Sequence, residues 1–458
     1  MNGKVPAEPT YCLFREQVNE YAKEQGVNLF DGAFTQISKS QCAGFGISGK
    51  RTRMDGKLPG SNIAWLPRYG LAHRSFGRCY KQYKDLLQGL AGEVKIETGR
   101  FPGEKAGKAV YRPGSDEIKA RSKKPGLPID RFLTGLSPFP DGDNPDDGHG
   151  TLKKVFGQQS EVVADQEVAT RGPKDISAQS VRSPHDAAAH YRSKGDRQAK
   201  GYSADVTESC DGHDKPNLIA GVSIKEAGTP GTDFLRPGMG QAREVFTEQV
   251  EPAHADGAYH SRDDQGFCSE NNIEMHLHAI QGNKGRYELA VDGEGGNIVR
   301  MVDRKTDEGI PFEPITGKKG GKKRRIGQTK GYRSFTMEEV ETALARKKVA
   351  DMPKGILQKR NNVGATIFQP AYHCSNGKTK YRGVVRHQMW AGMRCLWVNY
   401  VRIRNYLVSL DGEGASNELG KSARDAFSFI SIVCVSLGGR FWGAFPRFSS
   451  PNNKMVIW

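Results

Sequence analysis

Alternating apolar and polar positions are clearest in the middle of the chain. Tyr202, Ala204 and Val206 alternate with polar neighbours, a turn spans Cys210 to Pro216, and Leu218, Ala220, Val222 and Ile224 alternate again. That period of two on either side of a turn predicts a β-hairpin. Ile273, Met275, Leu277 and Ala279 stand against Glu274, His276 and His278, which predicts a half-buried strand over 272–280. Two shorter runs each end in an aspartate before a turn: one with Phe45 and Ile47 ends at Met54–Asp55, the other at Asp256 before Gly257, Ala258 and Tyr259. Helical spacing marks Tyr11, Phe14, Val18 and Tyr21, then Leu66, Tyr69, Phe76, Tyr80, Tyr83 and Leu87, and later Val385, Met389, Leu396, Ile403 and Leu407. Thr232 to Val250 reads as a helix broken near Pro237 and Gly238. Thr336 and Glu339 form a capping box opening a helix that ends in Arg346, Lys347 and Lys348, charges that suit its dipole.

These elements divide the chain into a helical lead over 1–42, a strand and helix over 43–90, and a segment over 91–180 with little pattern. The main body covers 181–410, and a Gly-, Ser- and Phe-rich tail covers 411–458. Lysine, glycine and proline clusters and the acidic patch PDGDNPDDG fill 91–180, which reads as a poorly ordered insertion after the first strand. The patch lacks the spaced ligands and closing glutamate of an EF-hand, so a solvated loop is expected there. Within the main body, 285–303 predicts an added hairpin turning at Gly293–Gly296, and the basic block Thr316–Lys330 predicts a loop. With the insertion set aside, the order is β-β-β-α-β-α-β, an α/β fold with a mixed sheet flanked by helices.

Composition narrows the partners. There are 68 Lys and Arg against 52 Asp and Glu, a formal charge of +16, which favours a polyanion, nucleic acid before membrane. The polar start MNGKVPAEPT has no secretory-signal pattern, and the apolar run Ala426–Leu437 is too short to span a bilayer. Eight cysteines are widely spread without C-x-x-C spacing, so they read as reduced thiols of a cytoplasmic protein. The 55 glycines among 458 residues exceed the usual share of about 7%, so interrupted helices are expected.

A strand that delivers a carboxylate at its C-terminal end is how α/β folds present catalytic acids. The segment ADGAYHS with the following HLHAIQG resembles the second-aspartate region of bacterial insertion-sequence DDE transposases, whose core is ribonuclease-H-like. Arg53, Asp55 and Gly60-Ser61-Asn62-Ile63 resemble the first-aspartate strand of that family, with Gly56 where serine is usual. Arg360, Val363 and Phe368 match the helix that carries the family's third acid, but position 364 is glycine where that family has glutamate. YRGVVRHQMWAGMRCLWVNYVRI resembles the C-terminal helices, in a stretch from His373 to Leu410 that has seven Lys and Arg and no acid. The resemblance implies a ribonuclease-H-like sheet and an enzyme that cuts and rejoins DNA on two Mg²⁺ or Mn²⁺ ions. It makes Asp55 and Asp256 the catalytic metal ligands and sets Arg53, Lys359, Arg360, Arg382 and Arg386 against DNA. Its partners would be the element's ends and target DNA, with homo-oligomers as a family habit.

Two-ion phosphodiester chemistry needs hard oxygen ligands around ions about 3.5–4 Å apart, and carboxylates supply them. Glycine at 364 removes one such ligand, so the expected protein is a transposase with an impaired centre. Asp186 and the strand face of Glu274, His276 and His278 are weaker ligand candidates. The competing readings are a non-catalytic DNA-binding remnant of the same scaffold and a basic RNA-associated structural protein. The last of these needs no convergence of Asp55 with Asp256.

Overall fold

The computed structural model describes residues 8–83, 126–136, 147–164, 167–194, 197–212, 214–280, 287–291, 298–303, 306, 309–316, 322–326, 332–333, 337–359, 366 and 377–412. Helices α1 (Glu8–Gln25) and α2 (Leu29–Gly44) lead into strand β1 (Thr52–Lys57) and helix α3 (Arg68–Tyr83). Next come α4 (Gly126–Leu136), α5 (Gly148–Gln159) and a hairpin of β2 (Ser160–Ala164) and β3 (Glu167–Thr170). The central run is β4 (His190–Lys194), β5 (Arg197–Ser209), β6 (Ile219–Glu226), α6 (Thr232–Val245), β7 (Pro252–Ala255), α7 (Arg262–Glu270) and β8 (Glu274–Leu277). A second sheet follows, formed by β9 (Tyr287–Val291), β10 (Ile298–Asp303), β11 (Gly309–Thr316), β12 (Lys322–Ile326) and β13 (Tyr332–Arg333). Helices α8 (Met337–Ala350) and α9 (Val384–Gly412) complete the described chain.

The main sheet is mixed, in the order β6–β5–β1–β7–β8, with β4 beside the first part of β5. β5 pairs antiparallel with β1 and β6, whereas β1–β7 and β7–β8 are parallel. Helices cover both faces. On one, Leu235, Met239 and Ala242 of α6 pack with Met54, Ala253 and Ala255. On the other, Ala391, Cys395 and Val398 of α9 pack with Ala204, Val206 and Val222. Along β5 the polar residues Ser203, Asp205 and Thr207 are as buried as their apolar neighbours. The sheet is an α/β layer closed on both sides, so the polar set must find partners inside.

Several local expectations change. Helix α6 runs unbroken through Pro237. Proline offers no N–H to the carbonyl four residues back, and Lys225 Nζ donates to that Asp233 oxygen instead, at 2.8 Å. A Cβ at Gly238 would stand 2.5 Å from Met54 Cε and 2.6 Å from Thr207 Oγ1, so glycine lets α6 lie close on β1 and β5.

Part of the supposed insertion is well built. α4 and α5 pack on α3 through Phe76, Cys79, Phe132, Leu136 and Leu152. Asp147, in the acidic patch, caps α5 by accepting from Gly150 N at 3.0 Å, and it also accepts from Gln82 and Tyr83 of α3. Residues 84–125 and 137–146 lie outside the described residues. The basic block is a strand where it is described, with β12 paired to β11, and β9 and β10 form the expected hairpin. Among the described residues no helix is long and apolar enough to cross a membrane.

Candidate carboxylate site at the strand ends

Thr52 lies opposite Ala253 and Arg53 opposite His254 in the parallel β1–β7 pair. Carried two residues further, that register sets Asp55 beside Asp256, on the face that Arg53 and His254 share. The turn after Asp256 depends on Gly257, because a Cβ there would stand 1.5 Å from the Ala279 carbonyl oxygen. The 3-10 turn Gly257–Tyr259 then sends Tyr259 back beneath the sheet. Asp55 Oδ1 accepts from Gly56 N at 2.8 Å.

A second polar pair lies under the first. Tyr259 Oη donates to Asp205 Oδ2, and both groups are buried. Burial pushes the Asp205 carboxyl well above its ordinary range; the Tyr259 hydrogen bond opposes this and the charge of Asp55 adds to it. Burial also raises Tyr259, reinforced by Asp205, Asp55 and Asp256, so the field of both strand-end acids reaches this phenol. Gly56 separates the layers, and a Cβ there would meet Tyr259 Oη at 3.6 Å and Asp205 Oδ2 at 3.7 Å, ordinary contacts.

β1 is held from the Asp55 side by an ion-pair triad. Glu208 of β5 is fully buried; its Oε1 accepts from Arg53 Nε at 2.5 Å and its Oε2 from Arg402 of α9 at 2.6 Å. Thr366 Oγ1 donates to Glu208 Oε1 at 2.9 Å, and Arg53 donates to the Lys359 carbonyl at 3.1 Å. The two described residues that flank position 364, Lys359 and Thr366, therefore both attach to this triad. Arg360 and Gly364 themselves lie outside the described residues.

Arg53 is thus a correction to the DNA-contact set, because its guanidinium is consumed by the fold. Arg382 is exposed, with Nε donating to the Asn62 carbonyl at 2.7 Å, and Arg386 faces Glu16 at 3.7 Å. Lys359 is half-buried. Asp186 is also distinct from the strand-end acids: it accepts from Ser61, Tyr202 and, at 3.0 Å, Gly383 N, tying the start of α9 to β5 and the loop after β1. On β8, Glu274 pairs with Lys348 at 2.9 Å and His276 at 3.3 Å. His276 in turn packs edge-on against His254, with ring centroids 4.8 Å apart. Burial, helped by His276, Lys359, Arg53 and Arg51, pushes His254 down to about 4. His278, one pleat on, is exposed.

Among the described residues no group of three or more His, Cys, Asp or Glu is arranged to hold a metal ion. Asp55 and Asp256 alone match the sparse protein ligation of Mg²⁺, which commonly uses one or two carboxylates and keeps several waters. No family model matches the chain, and neither curated proteins nor solved structures give a match.

Sequence reasoning missed Asp205, Tyr259 and Glu208. Asp205 and Glu208 stand in or beside the alternating run of β5, but its composition does not mark the strand as central. Period-two alternation sets Asp205 toward solvent and Glu208 in phase with Tyr202, Ala204 and Val206 on the opposite face, and nothing local showed that α6 and α9 would close both sides.

Proposed function

We propose that the chain is a transposase-family protein of the DDE type, built on a ribonuclease-H-like core. It binds DNA and carries a weakened metal-dependent centre for phosphodiester cleavage and strand transfer. The observation that carries this reading is the parallel pairing of β1 with β7, whose register leads Asp55 and Asp256 to one face at the strand ends. The succession β1, β5, β6, α6, β7, α7, β8 supports it, because with α3 and the 84–194 segment, β4 included, set aside it follows the order expected of such a core.

Asp55 and Asp256 would hold Mg²⁺ or Mn²⁺, which polarises a phosphoryl oxygen and makes a bound water nucleophilic near neutral pH. The chain's own part is placement. The Arg53–Glu208–Arg402 triad locks β1 in register, and Gly257 turns the backbone directly after Asp256. The +16 charge suits a DNA partner, with Arg382 exposed beside the loop that follows β1. Glycine at 364 withholds the third carboxylate, and electrostatic stabilisation is often the largest catalytic contribution, so activity is expected to fall by orders of magnitude. The same glycine favours a second reading, a DNA-binding remnant without catalysis.

The test is nicking of plasmid DNA with Mg²⁺ or Mn²⁺ by the natural protein, Gly364→Glu and Gly364→Glu with Asp256→Ala. A gain with Gly364→Glu that Asp256→Ala abolishes supports the DDE centre. DNA binding without cleavage by any variant favours the remnant. Folded variants that neither bind nor cut DNA would defeat both.

A further inference from the structure

Away from the strand-end acids, a cavity of about 390 Å³ opens between the start of α3, the end of α5 and the β4–β5 hairpin. Three cations line it: Arg68, Arg182 and Lys200. Among the described residues no carboxylate does, and none of the three is paired with one. Arg68 donates to Gln159 Oε1 at 2.9 Å and to two carbonyls, bonds that hold the guanidinium in place but leave its charge uncompensated. Arg182 donates to the Ser177 carbonyl at 3.1 Å and lies over the Tyr191 ring, while its buried Nε has no hydrogen-bond partner. Lys200 Nζ sits 4.4 Å from the centroid of the exposed Trp65 ring.

Such a cluster is unfavourable when empty. Burial lowers the pKa of all three cations, and Arg182 and Lys378 add to the lowering at Lys200. Partly desolvated like charges repel, and an anion among them removes the repulsion while gaining charge-assisted hydrogen bonds. Apart from Gln159 and Tyr191 the rest of the described wall is apolar, with Leu66, Leu71, Pro173 and Ile176, and the volume falls within the range of small-ligand sites. A wall that combines cations with apolar groups suits a ligand with a charged head and a flat or apolar body.

We propose that this cavity is a phosphate-binding site that takes a ligand of mononucleotide size, with the phosphate among Arg68, Arg182 and Lys200 and the remainder against the apolar wall. Two sources share that chemistry, a free nucleotide and the terminal nucleotide of a 5′-phosphorylated strand. The proposal stands apart from the carboxylate site and does not need it to be catalytic.

Isothermal titration calorimetry at low salt tests this, using thymidine monophosphate, thymidine, and one short single-stranded oligonucleotide with and without its 5′-phosphate. The expected result is binding of the phosphorylated member of each pair at least about tenfold tighter than its partner, as a charge-assisted contact implies. A preference in the mononucleotide pair alone assigns the site to free nucleotides, and one in the oligonucleotide pair assigns it to strand ends. Lys200→Met and Arg182→Met, with melting curves as fold controls, should each lose about ten- to a hundredfold in affinity. The proposal is overturned if phosphate makes no difference in either pair, or if both folded pocket variants bind as tightly as the natural chain. Should either variant fail to fold, Lys200→Gln or Arg182→Gln, each neutral and polar, replaces the variant at its own position under the same criterion.

Discussion

Removing Glu208 should be among the most damaging single changes in this protein. Its carboxylate is fully buried and neutralises two guanidinium groups, Arg53 at 2.5 Å and Arg402 at 2.6 Å, with Arg53 itself only 4% exposed. Glu208→Ala leaves both cations inside without a counter-charge. Breaking a buried pair in this way costs about 3–5 kcal/mol. A second route agrees: of the three hydrogen bonds that Glu208 accepts, the two from guanidinium groups alone, at about 1.5–3 kcal/mol each, give roughly 3–6 kcal/mol. The folding constant should then fall by roughly two to three and a half orders of magnitude. Urea unfolding followed by circular dichroism and tryptophan fluorescence reads the change directly. With a slope of about 3 kcal/mol/M, the midpoint drops by roughly 1–1.7 M. A companion variant separates charge from packing. Arg53→Met, Glu208→Leu and Arg402→Met together remove the charges along with their desolvation cost and should recover most of the loss. A Glu208→Ala loss below about 1 kcal/mol, or a triple variant worse than the single one, would refute this account of how β1 is held.

The buried polar layer sets pH dependence in two directions. Asp205 has a raised folded pKa, so its contribution is present below 3.8 and is lost as the pH climbs through the folded value. Asp205→Asn should therefore flatten the alkaline-side decline and melt higher than the natural protein at pH 8; parallel melting profiles would contradict this. His254 has a depressed folded pKa, so its stabilisation is full above 6.5 and fades as the pH falls toward about 4. His254→Gln should lessen the loss between those values, measured as the difference in unfolding free energy at pH 7 and pH 5, and an equal loss in both proteins would count against it. Gly257→Ala should destabilise by about 1–3 kcal/mol, because the added carbon meets the Ala279 backbone oxygen rather than a movable side chain; an unchanged urea midpoint would show that the turn can relax. Gly56→Ser should change stability by less than about 1 kcal/mol, since its Cβ finds ordinary contacts, and thermal melts check this.

Much of this protein was determined locally by its sequence. The alternating runs that became β5, β6 and β8 and the spaced apolar positions of α1, α3 and α9 are local patterns of period 2 or 3.6, whereas the strand expected to run from Phe45 to Asp55 is instead Thr52–Lys57, with Asp55 inside it. Such patterns report which side of an element is apolar, and the aspartates stood out because each closes an apolar run before a turn. What lies against the other side is not a local property. Tertiary packing placed α9 over one face of β5 and α6 over the other, and only then did Asp205 and Glu208 become interior groups requiring Tyr259, Arg53 and Arg402. The same packing turned Arg53 from a surface cation into the core of an ion pair. It also gave helical structure to α4 and α5, whose glycine- and proline-rich surroundings conceal short apolar faces until α3 supplies a partner. The cavity of Arg68, Arg182 and Lys200 had no trace in the sequence, because its three cations come from well-separated stretches and only the closed fold sets like charge beside like charge.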